Sequence, residues 1–176
     1  SLQQYYRDIR ISSLYEGTTG IQSQDLLARK VTLQNGKALA LLVDEMMRTI
    51  SLASNYDELK PYADELSSSL QLSQKILQKL MPFAMKGNYE RYLSDANLFM
   101  EYMSIVVLSW LWLEMAVNSK EKIATDDLKY SKIFYESKIH TMKFYFKYEL
   151  PKTLSLAESL MSDEVLTIKE DKEYIV

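Results

Sequence analysis

The 176-residue chain has no cysteine, a single histidine, four glycines, three prolines and no surplus of basic residues. Without cysteine there can be neither disulfides nor thiolate metal ligands, and such a composition fits a reducing compartment, so a cytoplasmic location is expected. His140 is the only histidine, which excludes a histidine-based triad or a multi-histidine metal centre within the chain. The few glycines form neither G-x-G-x-x-G nor G-x-x-x-x-G-K-S/T, leaving no phosphate cradle. A formal charge of −3 and a pI near 5.3 give nothing to neutralise phosphates, so nucleic acid is not expected as a partner. No charged-then-apolar leader is visible, and the first residue is Ser rather than Met, which suggests a processed chain or a piece of something longer. The longest apolar run, Tyr102 to Leu113, is flanked by Glu101 and Glu114 and falls short of the roughly twenty residues a membrane span needs. It is expected to be a helix buried inside a soluble domain, with no membrane span.

What is present is helical periodicity. Leu39, Leu42, Met46, Ile50 and Ala53 recur at steps of three and four and predict a helix from about Gly36 to Ser54, just after the turn signal Asn35-Gly36. Leu59, Ala63, Leu66, Leu70, Leu77 and Leu80 predict a second helix ending near Lys86-Gly87, with Pro61 in its first turn and Pro82 bending its last. Asn88 is a suitable N-cap for a third, whose spine is Tyr92, Phe99, Met103, Val106, Trp110, Leu113 and Val117 and whose middle is apolar nearly all round. Thr125-Asp126-Asp127 reads as the cap of a fourth, with Leu128, Tyr135, Ile139, Met142, Phe146, Leu150, Ala157 and Leu160 on its stripe and a kink around Lys147 imposed by Pro151. From Ser162 the chain is charged and weakly periodic, as expected of an extended or frayed tail.

The expected fold class is therefore all-α: an antiparallel four-helix bundle over residues 36–162, preceded by a short helix-loop-helix segment in 1–35 and followed by a charged tail, 163–176. The segment 1–35 is broken by Glu16-Gly17-Thr18-Thr19-Gly20 between two helical pieces, Gln4 to Tyr15 and Ile21 to Lys30. Two glycines in four residues imply a tight backbone and a close approach of something to it.

Few residues on the helices can carry chemistry. Glu101 and Glu114 sit in the most apolar helix, but no Glu-x-x-His accompanies them, so no metal is expected. Lysines and aromatics interleave in Lys143-Phe144-Tyr145-Phe146-Lys147-Tyr148, which reads as core plus solvated face rather than a nucleic-acid strip. Glu16 remains as the candidate.

Tyr6-Arg7-Asp8-Ile9-Arg10-Ile11, followed by Leu14-Tyr15-Glu16-Gly17-Thr18-Thr19-Gly20-Ile21-Gln22, resembles the segment near the C-terminus of the acyl-CoA dehydrogenase catalytic core, roughly Y-R-D-x-R-I-x-x-I-Y-E-G-T-x-x-I-Q. More than ten positions agree at fixed spacing. Asp25 to Lys30 looks like the larger members, which carry an additional helical domain and commonly have Gly where Ala28 stands here. The resemblance implies FAD as cofactor, an acyl-CoA thioester as substrate, and an electron-transfer flavoprotein or similar acceptor. It implies that Glu16 is the base for the α-proton, that Gly17 lies against the substrate, and that Thr18, Thr19 and Gly20 line the FAD, with Gln22 supporting the loop. Arg7, Asp8 and Arg10 would fix that loop by ion pairs. A homo-oligomer is expected for the intact enzyme. The 176 residues alone, lacking most of a flavin site, are expected to be inactive. The alternative is a non-enzymatic helical bundle for protein-protein interaction that retains the motif.

Overall fold

A computed structural model describes residues 2–12 and 18–168. Among these residues all regular structure is helical and there is no strand. The order is α1 (Leu2–Arg10), α2 (Thr19–Asp25) running into a π-helical turn (Leu26–Lys30), α3 (Lys37–Ala53), α4 (Lys60–Met85), α5 (Tyr89–Leu93), α6 (Ala96–Thr125), α7 (Lys132–Tyr148) and α8 (Lys152–Leu160).

The first two predicted helices lie where their periodicity puts them. Gln34, Asn35 and Gly36 all have positive φ, a left-handed turn that Asn and Gly tolerate and that re-aims the chain into α3. Met46, Ile50 and Ala53 are then buried, with Leu39 and Leu42 half-buried beside them. Pro61 occupies the first turn of α4, where no N–H is needed, and the helix runs three residues past Pro82. It stops in a Schellman motif: the N–H of Asn88 reaches the Phe83 carbonyl (2.9 Å) and that of Gly87, at φ +76°, reaches Ala84 (3.0 Å).

The third and fourth helices are each divided. Asn88 caps α5 through the Arg91 N–H (3.1 Å), as predicted, but α5 ends after five residues. Ser94 donates to the Arg91 carbonyl (3.0 Å), and the Asp95 carbonyl accepts from Leu98 and Phe99 to begin α6. Short polar side chains that compete with the backbone ladder make this break. Thr125-Asp126-Asp127 ends α6 instead of starting the next helix: Thr125 is its last residue and Asp126 the left-handed C-cap. The following helix starts later, where Ser131 accepts from the Phe134 N–H (3.3 Å). Pro151 breaks the predicted fourth helix outright rather than kinking it. Glu149 and Leu150 both donate to the Tyr145 carbonyl (2.8 and 3.1 Å), because the Pro151 ring would clash with the Lys147 carbonyl, and α8 begins afresh at Lys152.

By length and composition alone, 89–125 could cross a bilayer. In the fold, α6 is the axis against which α2, the π-helical turn, α3, α4, α7 and α8 all pack. Phe99, Tyr102, Val106, Leu113 and Ala116 on it are fully enclosed. Polar atoms brought inside are matched: Tyr102 donates to the Ser69 carbonyl of α4 (2.7 Å), and the Trp110 indole to Thr49 of α3 (2.8 Å). Among the described residues no buried side-chain nitrogen or oxygen lacks a partner.

Residues 162–168 are fastened rather than frayed. Lys79 pairs with Asp163 (2.7 Å) and also donates to the Met161 carbonyl, Arg91 donates to the Ser162 carbonyl (3.0 Å), and Thr167 donates to Asp95 (3.1 Å). These cations satisfy carbonyls left open where α8 ends.

Glu58, in the α3–α4 connection, receives Lys120 of α6 and Lys143 of α7 (2.5 Å), which pull its carboxyl from the usual range down to about 2. A depressed carboxylate stabilises the fold above its unfolded value, near 4.5, and loses that contribution as pH falls from there through about 2. The group is partly exposed, so its contribution is below about 1 kcal/mol. Glu58→Gln is expected to lower stability in urea titrations at pH 7, with the difference from wild type closing as pH approaches 2.

Candidate functional site

Of the predicted site residues, Glu16 and Gly17 lie outside the described residues, whereas Thr18, Thr19 and Gly20 are described. Thr18 is the N-cap of α2, with extended backbone, and its hydroxyl accepts from the Ile21 N–H (3.4 Å). Thr18 and Thr19 are exposed and Gly20 is half-buried. A Cβ built on Gly20 meets nothing within 4 Å, and its φ is not in the left-handed region, so nothing in the described chain demands glycine there.

What holds these three residues in place lies one turn further on. Ser23 is buried, its hydroxyl 2.8 Å from the Gly20 carbonyl and 2.5 Å from Asn97 Oδ1 of α6. Leu27 is fully buried, and its carbonyl accepts the Tyr92 hydroxyl (2.7 Å). The π-helical turn makes this possible: the Val31 N–H bonds back five residues to Leu26 (3.0 Å), a wider register of the kind found at functional positions. Burial pushes the Tyr92 phenol up, keeping its proton on the donor. Asp25 and Arg29 form a two-pronged pair at the surface (2.5 and 2.9 Å), and Arg29 holds the Asp25 carboxyl below the usual range. Nothing in the local pattern of Ser23 or Tyr92 announced these links, because both depend on contacts more than sixty residues away in sequence.

On the other side of the break, α1 has a different character. Asp8 accepts from Gln4 (3.0 Å), and every residue of the helix is exposed. Leu2, Tyr5, Tyr6 and Ile9 fall within an arc of about 100° at helical spacing, the width of a core-facing stripe. They are 67–88% exposed.

Two apolar grooves open between the helices. One, of about 640 Å³, lies between the π-helical turn, α3 and α6, walled by residues such as Leu26, Val31, Leu39, Met103 and Val107. The other, of about 730 Å³, lies between α4 and the α7–α8 junction and includes Glu65, whose carboxyl burial pushes up. Neither includes Thr18, Thr19 or Gly20. His140 is exposed, and among the described residues no three acidic or histidine side chains are placed to hold a metal.

Residues 42–169 match the family described as acetyl-CoA dehydrogenase C-terminal like. A broad-specificity linear acyl-CoA dehydrogenase of Mycobacterium tuberculosis is 28% identical over 96% of this chain and 29% of its own length. A butyryl-CoA dehydrogenase of Syntrophomonas wolfei is 28% identical over 82% of the chain and 24% of its own. A 3-methylmercaptopropionyl-CoA dehydrogenase of Ruegeria pomeroyi is 36% identical over 44% of the chain and 11% of its own. The chain thus spans less than a third of the length of these relatives. With its family match covering most of the residues and its helices all-α throughout the described part, the chain belongs to the acyl-CoA dehydrogenases, in their C-terminal region.

Proposed function

We propose that the chain is the C-terminal part of a longer FAD-dependent acyl-CoA dehydrogenase, joining the catalytic-base loop to an appended helical domain. The observation that carries this reading is the segment from Tyr6 to Gln22, with Glu16 in the base position, in a chain that belongs to the family. The exposed apolar stripe of α1 supports it, since a helix with that pattern has a face to bury and nothing in the described chain covers it. Residues 1–35 then complete the core, and α3, α4, α5–α6 and α7–α8 form the four rods of an antiparallel bundle, with 163–176 as a tail.

Dehydrogenation across the α,β bond of an acyl-CoA thioester needs a base that meets the α-proton away from water. Glu16, shielded between substrate and cofactor, would have its pKa raised towards that task. Gly17 leaves room for the thioester, and Thr18, Thr19 and Gly20 border the flavin, the open space over Gly20 being consistent with an outside neighbour. FAD, when bound, supplies the acceptor for the β-hydrogen as hydride. An electron-transfer flavoprotein or similar acceptor, a homo-oligomer and a cytoplasmic location go with this reading.

Three residues at the edge of a cofactor cannot hold it, so spectral titration of the 176-residue chain with FAD is expected to show no tight stoichiometric binding. In the longer protein, Glu16→Gln is expected to abolish turnover of acyl-CoA while FAD content is retained; activity within a few-fold of wild type would remove Glu16 from the mechanism. Gly20→Ala separates structure from function. In the 176-residue chain it should leave urea stability unchanged or raise it by up to about 1 kcal/mol, because Ala favours a helix turn and meets no neighbour. In the longer protein it should lower FAD content.

A further inference from the structure

The lysines and aromatics that interleave in the last part of the chain do not all divide into core and solvated face. Tyr135, Ile139, Met142 and Phe146 of α7 are buried against α6, as a core stripe should be. On the opposite side, Ile133, Phe134, Phe144 and Tyr148 fall within an arc of about 100° and form a second stripe that faces outward, and Tyr130, just before the helix, lays its ring 4.6 Å from that of Phe134. Ile133 is 75% exposed, and Tyr130, Phe144 and Tyr148 are each just over half exposed. An unpartnered stripe of this kind is costly on a soluble surface.

Charge identifies what would cover it. Residues 129–148 carry five lysines and one glutamate, in a chain whose formal charge is −3. Lys143 is taken by Glu58 and Lys132 lies 3.8 Å from Glu136. The other three, Lys129, Lys138 and Lys147, have no carboxylate partner among the described residues; each ammonium sits 4.7–5.6 Å over an exposed ring, of Tyr130, Phe134 and Tyr148. A second copy of the same face would bring these unpaired cations together, so self-association through it is disfavoured. Nucleic acid fits poorly as well, since there is no arginine here to fork onto phosphate and the stripe includes an aliphatic side chain rather than a row of stacking platforms. A helix face with rings and an isoleucine along its crest and lysines beside them has the chemistry of an interfacial helix.

We propose that the outer face of α7 docks on an anionic lipid surface, the rings entering the headgroup region and Lys129, Lys138 and Lys147 meeting lipid phosphates. This contact is peripheral and leaves α6 in the protein core. It is independent of the dehydrogenase reading, since it uses no residue before Lys129.

Flotation of the 176-residue chain with vesicles tests it. Vesicles of phosphatidylcholine with one quarter phosphatidylglycerol should carry the chain at low salt, pure phosphatidylcholine vesicles at least tenfold less, and 0.5 M NaCl should release it. Each basic side chain near an anionic surface is worth about fivefold in partitioning, so Lys138→Glu with Lys147→Glu should reduce binding by at least about 25-fold. Phe134→Ser with Phe144→Ser should also reduce it at least tenfold, with far-UV circular dichroism unchanged in both variants. Absence of binding to the anionic vesicles, equal binding to both vesicle types, or retention by poly-glutamate or DNA in place of vesicles would overturn the proposal. Should a variant lose its helicity, the comparison of vesicle types with the wild-type chain still decides.

Discussion

A thirty-residue helix that is apolar on most of its circumference must be surrounded, and nearly everything else in the molecule follows from surrounding α6. Six other elements pack against it. Close packing alone would leave the rotation of α6 weakly specified, because a helix with no single apolar face fits in more than one orientation. Two hydrogen bonds, a buried one from Tyr102 to the Ser69 carbonyl and a partly buried one from Trp110 to Thr49, remove that freedom by tying α6 to α4 and α3 at set positions. Misplacing either would bury an unpaired polar atom, at about 1–3 kcal/mol.

The same helix organises the candidate site at a distance. Asn97, at its start, holds Ser23 and so the first turn of α2, while Tyr92 on α5 holds the π-helical turn through Leu27. Thr18, Thr19 and Gly20 are therefore carried on a segment anchored to the body of the fold, whereas α1, before the break, buries nothing in the described chain. In sequence, Glu16 lies between these two segments.

Much of the helical pattern was legible from local order. The stripes of α3 and α4 have one apolar face each, and their end signals, Asn35-Gly36 and Gly87-Asn88, act through backbone geometry that glycine and asparagine adopt wherever they are. The breaks at Ser94-Asp95 and Pro151 were less legible, because an apolar period continues across both and only the competing hydrogen bonds of Ser94 and the clash at Lys147 interrupt it. Thr125-Asp126-Asp127 illustrates a further ambiguity: small polar residues suit either end of a helix, and the left-handed φ of Asp126 assigned them to the end of α6.

The order of residues was enough to establish helix type and the family resemblance around Glu16, because each depends on neighbours along the chain. Which side of a helix faces out depended on the packed whole. In α7 apolar residues recur on two faces at the same period, and only what packs against the helix separates Phe146, inside with its ring edge-on to Tyr62 of α4, from Phe144, outside. Periodicity reports that a face is apolar; burial is a property of what stands opposite it.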